Sequence, residues 1–160
     1  MKKAATLWMI LFLSMFCAGS TFATEKSYKI TIDGESKEPA VTGYQKGDKI
    51  MVPVRATAEA MGYSVTWIPE RKALLISTGT QEAVVMAGAR KIHVDGSIDG
   101  IDLTTDAVLG EAVEVKNRRY YIPADFFTAF LRETVLYGDT LDIARQQACL
   151  CSDTSRNTPD

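Results

Sequence analysis

The stretch of sequence closest to a metal-binding motif begins at Asp95 and ends at Asp106. Oxygen-bearing side chains stand at its positions 1, 3, 5 and 12, and Gly100 stands at position 6, as in the loops that hold Ca²⁺ through oxygen ligands. Position 8 is Asp102 where such loops carry an apolar residue, and position 12 is Asp rather than Glu. A solvated turn between strands is therefore the favoured interpretation, and a calcium site is the alternative.

The single histidine, His93, stands in an alternating segment beside Lys91, and this pattern predicts that its side chain faces solvent. A lone histidine without a serine or cysteine nucleophile in a recognisable turn is a weak indication of catalysis. The sequence also lacks the motifs of serine hydrolases, nucleotide-binding loops, zinc peptidases and dinucleotide-binding folds. We therefore predict no catalytic residue, no metal ligand, no cofactor-binding residue and no cofactor, and we expect that the chain is not an enzyme.

Two cysteines, Cys149 and Cys151, stand close together near the end of the chain. Residues this close rarely meet the geometry of an internal disulfide, and no further cysteine or neighbouring histidine completes a zinc site. Two thiols on a tail are the favoured interpretation, and intermolecular disulfides are the alternative.

Six aromatic residues are candidates for a platform that stacks on sugar rings. Packing in the core or across strands is the favoured interpretation for most of them, because they fall in alternating segments. These residues are Tyr44, Tyr63, Trp67, Tyr120, Tyr121 and Tyr137.

The first 23 residues have the layout of a secretory signal peptide. Lys2 and Lys3 precede an uncharged apolar run over residues 4–18, and small residues follow, with cleavage predicted after Ala23. The apolar run is shorter than the roughly 20 residues of a membrane span. Cys17 follows Phe16 rather than a small residue, which disfavours a lipoprotein. We predict export, and an uncleaved anchor is the alternative.

The remaining chain is mildly acidic and has the size of one domain. Removal of two lysines leaves 16 basic and 20 acidic residues, a net charge of 16 − 20 = −4. Nucleic-acid binding is disfavoured, because it requires a basic surface that neutralises phosphates. We predict one domain over residues 24–144 and a disordered tail over residues 145–160, which lacks apolar periodicity.

The pattern of the domain predicts an α+β fold, with antiparallel strands wrapped around two short helices. Residues 49–77 predict a strand, a helix that starts at Pro53 and stops at Gly62, and a hairpin. Residues 35–47 are polar and carry two glycines and a proline, so they are predicted to form a loop or an irregular edge. Residues 95–106 are predicted to form another. Further strands are predicted over residues 28–33, 82–86 and 91–95.

The pattern of residues 49–77 recurs over residues 119–144, so we predict two pseudo-repeated β-α-β-β units. Val52-Pro53-Val54 corresponds to Ile122-Pro123-Ala124, and Val65-Thr66-Trp67 corresponds to Val135-Leu136-Tyr137. The second helix is predicted to bury an apolar stripe. This stripe consists of Phe126, Phe127, Phe130 and Leu131.

The first unit resembles the repeat of the copper amine oxidase N-terminal-like (stalk) domains of exported bacterial proteins. The resemblance is carried by Val52-Pro53-Val54-Arg55, Ala58-Glu59-Ala60, Gly62 and the two strands that follow, and it covers residues 28–144. The second unit departs from the family pattern, with Ala124-Asp125 in place of Leu-Arg and Arg132 in place of Gly.

The resemblance implies a sheet twisted around a helix, an extracytoplasmic setting and a non-catalytic role. Amine oxidase activity is rejected, because the catalytic part of that oxidase requires three histidine ligands for copper and this chain has one histidine. We therefore expect a structural or interaction module of the bacterial cell envelope, with a cell-wall or polysaccharide-binding module as the alternative. Its expected partner is an envelope protein, a cell-wall glycan or a second copy of the chain.

Overall fold

The computed structural model describes residues 25–146. The predicted signal segment and its cleavage position, Cys149, Cys151 and the predicted tail beyond Gln146 lie outside the described residues. Within them, no helix is long and apolar enough to cross a membrane. Residues 25–146 contain one α-helix, α1 (Val54–Ala60), and two 3₁₀ helices, Pro69–Arg71 and Ala124–Phe130. The strands are β1 (Ser27–Ile32), β2 (Val41–Lys46), β3 (Lys49–Pro53), β4 (Ser64–Ile68), β5 (Ala73–Ser77), β6 (Gln81–Met86), β7 (Lys91–Ile98), β8 (Ile101–Asp102), β9 (Thr105–Val108), β10 (Glu114–Lys116), β11 (Arg119–Pro123), β12 (Arg132–Tyr137) and β13 (Thr140–Arg145).

The strands form two sheets. The first has seven strands in the order β10-β11-β3-β2-β1-β13-β12, and the second has the order β4-β5-β6-β7-β8, with β9 also paired to β7. All neighbours are antiparallel except β1 and β13, which are parallel. The α+β class, with short helices and mostly antiparallel strands, is confirmed.

One apolar core joins both sheets to the helices. It includes Val52 and Ile122 from the first sheet, Ile76 from the second, Ala58 from α1 and Phe127 from the second 3₁₀ helix, and all five are buried. Burial of each larger aliphatic or aromatic side chain stabilises the folded state by roughly 1.5–3 kcal/mol. The described residues therefore fold around a single centre.

The segment from β3 to β5 follows its prediction closely. The helix α1 ends at Ala60, and Gly62 has a φ of 83°, the left-handed conformation that glycine adopts without strain after a helix. In the hairpin that follows, Val65 lies opposite Ile76 and Trp67 lies opposite Leu74, as the alternation predicts. The strand β3 extends one residue further than predicted, to Pro53.

The predicted loop over residues 35–47 is wrong in its second half, which forms β2 in the first sheet. Gly43 suggests a turn in the sequence, but it lies opposite Tyr28 of β1. A Cβ atom on Gly43 would stand 2.6 Å from the carbonyl oxygen of Met51. The glycine is therefore needed for close approach of two strand backbones rather than for a turn.

The predicted loop over residues 95–106 is also wrong in part. The strand β7 continues to Ile98, and Asp99 and Gly100, with φ values of 47° and 81°, form the turn to β8. Positive φ at both central residues is the geometry of the tight turns that join antiparallel strands, and Asp-Gly favours it. The residues thus extend the second sheet.

The second predicted helix is a 3₁₀ helix, and Leu131 does not belong to its buried stripe. Leu131 follows the helix with a φ of 57° and is 54% exposed, whereas Phe126, Phe127 and Phe130 are buried. The tighter winding of a 3₁₀ helix places residues three apart on one face, so Phe127 and Phe130 point inward together. The left-handed residue then turns the chain into β12.

Candidate functional site

A groove of about 1000 Å³ lies between the two sheets. The end of β3, the exposed side of α1, β4, the turn before β5 and the β10–β11 hairpin all contribute to it. The lining residues are Pro39, Ala40, Val41, Thr42, Pro53, Arg55, Ala56, Glu59, Trp67, Pro69, Lys72, Leu74, Val115, Arg118, Arg119, Tyr120 and Tyr121.

An aromatic pair lies in this groove. The rings of Trp67 and Tyr120 meet edge to face, with centroids 6.0 Å apart and an interplanar angle of 60°. The Tyr120 hydroxyl donates a hydrogen bond of 2.6 Å to the backbone oxygen of Lys72, which fixes the tyrosine against the turn before β5. Trp67 remains 43% exposed, so an indole surface is available to a ligand.

The groove also carries positive charge. Arg55 pairs with Glu59 at 3.3 Å, as predicted for residues four apart on a helix, and donates to the oxygen of Val65 at 3.2 Å. The remaining cations of the groove are Lys72, Arg118 and Arg119, and no ion pair formed within residues 25–146 includes them. The lining therefore has four cationic side chains and one anionic side chain.

The lining of the groove is mostly apolar, aromatic and cationic. Its lining has one carboxylate, Glu59, which is already paired with Arg55, and it includes no histidine, cysteine or serine among the described residues. The described lining therefore has no pair of carboxylates for acid and base roles, and its hydroxyl groups belong to Thr42, Tyr120 and Tyr121. Aromatic faces and cationic side chains are the groups that the groove presents.

His93 is exposed, as predicted, and lies between two carboxylates. Its Nδ1 is 2.8 Å from Asp106 and its Nε2 is 3.1 Å from Asp95, while Lys91 pairs with Asp106 at 2.8 Å. The hydrogen bond to Asp106 and the charge of Asp95 raise the pKa of His93 above its ordinary value. The same contacts with Lys91 and His93 lower the pKa of Asp106. This cluster ties β9 to β7.

Two residues of the calcium-loop template, Asp95 and Asp106, are engaged in contacts with His93. Asp102 instead accepts a hydrogen bond of 2.8 Å from the backbone N–H of Thr104. No group of three or more His, Cys, Asp or Glu side chains placed to hold a metal ion is found in the part of the chain described. The geometry thus gives the calcium alternative no support.

Arg132, which the sequence marked as a departure from the family pattern, is buried and joins three segments. Arg132 donates to Asp33 at 3.1 Å and to the Tyr63 hydroxyl at 2.9 Å, and its side chain is only 6% exposed. Partial burial acts to raise the pKa of the Asp33 carboxyl. The hydrogen bond from the backbone N–H of Arg145 and the charge of Arg132 outweigh this effect, so the pKa of Asp33 lies below its ordinary value. The departure from the family pattern at position 132 is therefore a structural anchor.

The six aromatic candidates separate into groups. Trp67, Tyr120 and Tyr121 line the groove, and Tyr44 packs on Tyr121 with centroids 5.1 Å apart. Of the other two, Tyr63 packs on Phe130 and Tyr137 is exposed at the β12–β13 turn. The cations beside these aromatic residues were not predicted from the sequence as site residues. The run Arg118-Arg119-Tyr120-Tyr121 was the signal that could have identified them.

Comparison with known proteins agrees with the resemblance seen in the sequence. A family model described as copper amine oxidase N-terminal domain matches residues 31–141. In copper amine oxidases this domain is a non-catalytic part of the protein. No curated protein and no solved structure matches the chain.

Proposed function

Because the chain belongs to the copper amine oxidase N-terminal domain family, we propose that it is an exported, non-catalytic interaction module of the bacterial cell envelope. The signal-peptide layout of residues 1–23 supports export. Cleavage after Ala23 stays a prediction, as does the location of the mature protein.

One observation carries the interaction role, namely the groove that holds Trp67 and Tyr120. A structural spacer has no need of a concave surface with a partly exposed indole and three cations that lack ion-pair partners among the described residues. Exposed aromatic residues and arginines are the groups most often found at the energetic centres of interfaces. The groove is therefore the surface through which we expect the module to act.

We also propose that the two repeat units meet in the first sheet where β3 pairs with β11. Val52 of β3 lies opposite Ile122 of β11, and these residues are equivalent in the sequence repeat. The strand β2 lies next to β3 on one side of this pair, and β10 lies next to β11 on the other side. Such an arrangement is what a pseudo-twofold axis between β3 and β11 produces. The last strands of the two units occupy different sheets, because β5 lies in the second sheet and β13 lies in the first.

A polysaccharide-binding role is the second candidate, and the Trp67–Tyr120 pair favours it. The face of an aromatic ring carries negative charge density, and the C–H groups of a sugar ring pack against such a face. A protein partner would be recognised through the same groove, so the two candidates differ in ligand and not in site.

Fractionation and affinity capture test the proposed function. The full chain is expressed in a bacterial host, and the cytoplasmic and extracytoplasmic fractions are assayed for it. The exported protein is then immobilised and exposed to solubilised envelope, with the retained wall polymers and proteins analysed separately. We expect the protein outside the cytoplasm and retention of one envelope component. A protein confined to the cytoplasm, or one that retains nothing from the envelope, would contradict the proposal.

A further inference from the structure

We propose that the groove binds an anionic polysaccharide, with sugar rings against Trp67 and Tyr120 and acidic substituents against Arg118 and Arg119. The inference rests on the proposed function, because it names the ligand class of the same groove. It goes further because it states that the ligand is anionic, that the aromatic pair contacts its sugar rings and that the two arginines contact its acidic groups.

The charge of the ligand follows from the contrast between the groove and the whole chain. The full sequence has a net charge of −2, yet the groove has four cations, Arg55, Lys72, Arg118 and Arg119, against the single carboxylate of Glu59. Positive charge concentrated in a concave surface attracts an anionic ligand. Arginine in particular binds carboxylate and phosphate groups through two parallel N–H donors.

The positions of the arginines suit this role. Arg118 has a φ of 61°, in the left-handed region that follows Asn117, so the tight turn between β10 and β11 presents both Arg118 and Arg119 at the surface. Both are exposed, and Tyr120 follows directly in β11. Arg118 in the turn and Arg119 and Tyr120 at the start of β11 all line the groove, so acidic groups and sugar rings of one ligand can be contacted within it.

The lining favours a sugar chain over an acidic peptide. A peptide that binds as an added strand needs backbone N–H and C=O groups along a free edge. Three prolines, Pro39, Pro53 and Pro69, line the groove and have no N–H to donate. The exposed indole of Trp67 offers a flat apolar surface instead. The volume of about 1000 Å³ lies at the upper end of the range of small-ligand sites, about 300–1,000 Å³, and so suits several rings.

Binding is tested by titrating the purified full chain with four soluble polymers. Polygalacturonate supplies rings with carboxylates, and a phosphodiester-linked sugar polymer supplies rings with phosphates, so these two distinguish the sources of charge. Amylose supplies rings without charge, and polyglutamate supplies charge without rings. We expect binding to one or both anionic sugar polymers, weakened by added salt because the charges are exposed, and no comparable binding to amylose or polyglutamate.

Matched variants assign the binding to the groove. Trp67→Ala and the double variant Arg118→Gln/Arg119→Gln are each expected to raise the dissociation constant about tenfold or more. Tyr137→Ala, an exposed aromatic at another turn, and Arg71→Gln, an exposed cation outside the groove lining, are the controls and should change it less than about twofold. A thermal melt of each variant checks that its fold is intact.

The inference would be overturned if polyglutamate or amylose bound as tightly as the anionic sugar polymers. It would also be overturned if neither groove variant changed the dissociation constant of an anionic sugar polymer. If no sugar polymer binds but the immobilised protein still retains an envelope component, the glycan assignment falls and the proposed function stands. If the envelope retains nothing either, both fall.

Discussion

Trp67 and Tyr120 meet edge to face, with ring centroids 6.0 Å apart, although Trp67 belongs to the second sheet and Tyr120 to the first. The contact closes the wall of the groove, and the bond from the Tyr120 hydroxyl to the oxygen of Lys72 reinforces it from the neighbouring turn. The proposed recognition surface and the junction of the two sheets therefore share these two residues.

This relationship predicts energetic coupling between the two rings. A double-mutant cycle with Trp67→Ala, Tyr120→Ala and the combined variant should give a coupling energy of about 0.5–1.5 kcal/mol, the range for aromatic pairs beyond their buried area. Denaturant unfolding of the four proteins measures it. Strictly additive effects would show that the rings are neighbours without a stabilising contact.

The buried guanidinium of Arg132 predicts a large asymmetry between two arginines that contact the same carboxylate. Arg132→Met leaves Asp33 and the Tyr63 hydroxyl without their partner, so we expect a loss of about 2 kcal/mol in the free energy of unfolding. Arg145, which is 79% exposed and 3.8 Å from Asp33, is the control. Its change to Met should cost less than about 0.5 kcal/mol. Similar losses for both variants in a urea titration would refute the anchoring role of Arg132.

The close approach at Gly43 predicts intolerance to a single added carbon. Gly43→Ala places a Cβ atom 2.6 Å from the Met51 oxygen, so β2 and β3 must shift, at a cost of about 1–3 kcal/mol. Thr42→Ala, at the exposed neighbouring position in the same strand, should change stability within about 0.5 kcal/mol. Thermal unfolding compares the two, and a stable Gly43→Ala protein would mean that the strands are not so tightly apposed.

The His93 cluster predicts a pH-dependent contribution to stability. Because Asp106 and Asp95 raise the pKa of His93 above 6.5, its contribution is fully present below pH 6.5 and is lost as pH rises through the folded-state pKa. The difference in melting temperature between the wild type and His93→Gln should thus be larger at pH 5.5 than at pH 8.5. The charged groups in contact around His93 are Asp95, Asp106 and Lys91, and the comparison covers the window from pH 5.5 to pH 8.5. A difference that is constant across it would show that the histidine is not held as a cation between the carboxylates.

Local elements were predictable where one short pattern decides the structure. Alternation over residues 64–68 and 73–77 predicted β4 and β5, and Gly62 marked the end of α1 because a left-handed residue is required there. Gly43 misled because a glycine that permits a turn and a glycine that permits close backbone approach look the same in a sequence. The parallel pairing of β1 with β13 lies beyond local patterns.

The groove could be predicted only in fragments. Its aromatic candidates were named from the sequence, and the arginines stood beside two of them, but Trp67 reaches Tyr120 only through the packing of one sheet against the other. The charge of the groove is likewise a property of that packing, because its cations come from α1, the turn before β5 and the β10–β11 hairpin. Composition alone, which is mildly acidic, pointed away from an anionic ligand.

The fluorescence of Trp67 during titration with polygalacturonate and with the phosphodiester-linked sugar polymer tests the central claim most directly, because this indole is the proposed contact surface. The full chain has a second tryptophan, Trp8, in the predicted signal segment, so the Trp67→Phe variant supplies the background. We expect a saturable change in emission with at least one of these polymers that is absent from the Trp67→Phe protein and absent with amylose. Saturable binding of an anionic sugar polymer that leaves the emission of Trp67 unchanged would contradict the assignment of the groove as the binding site.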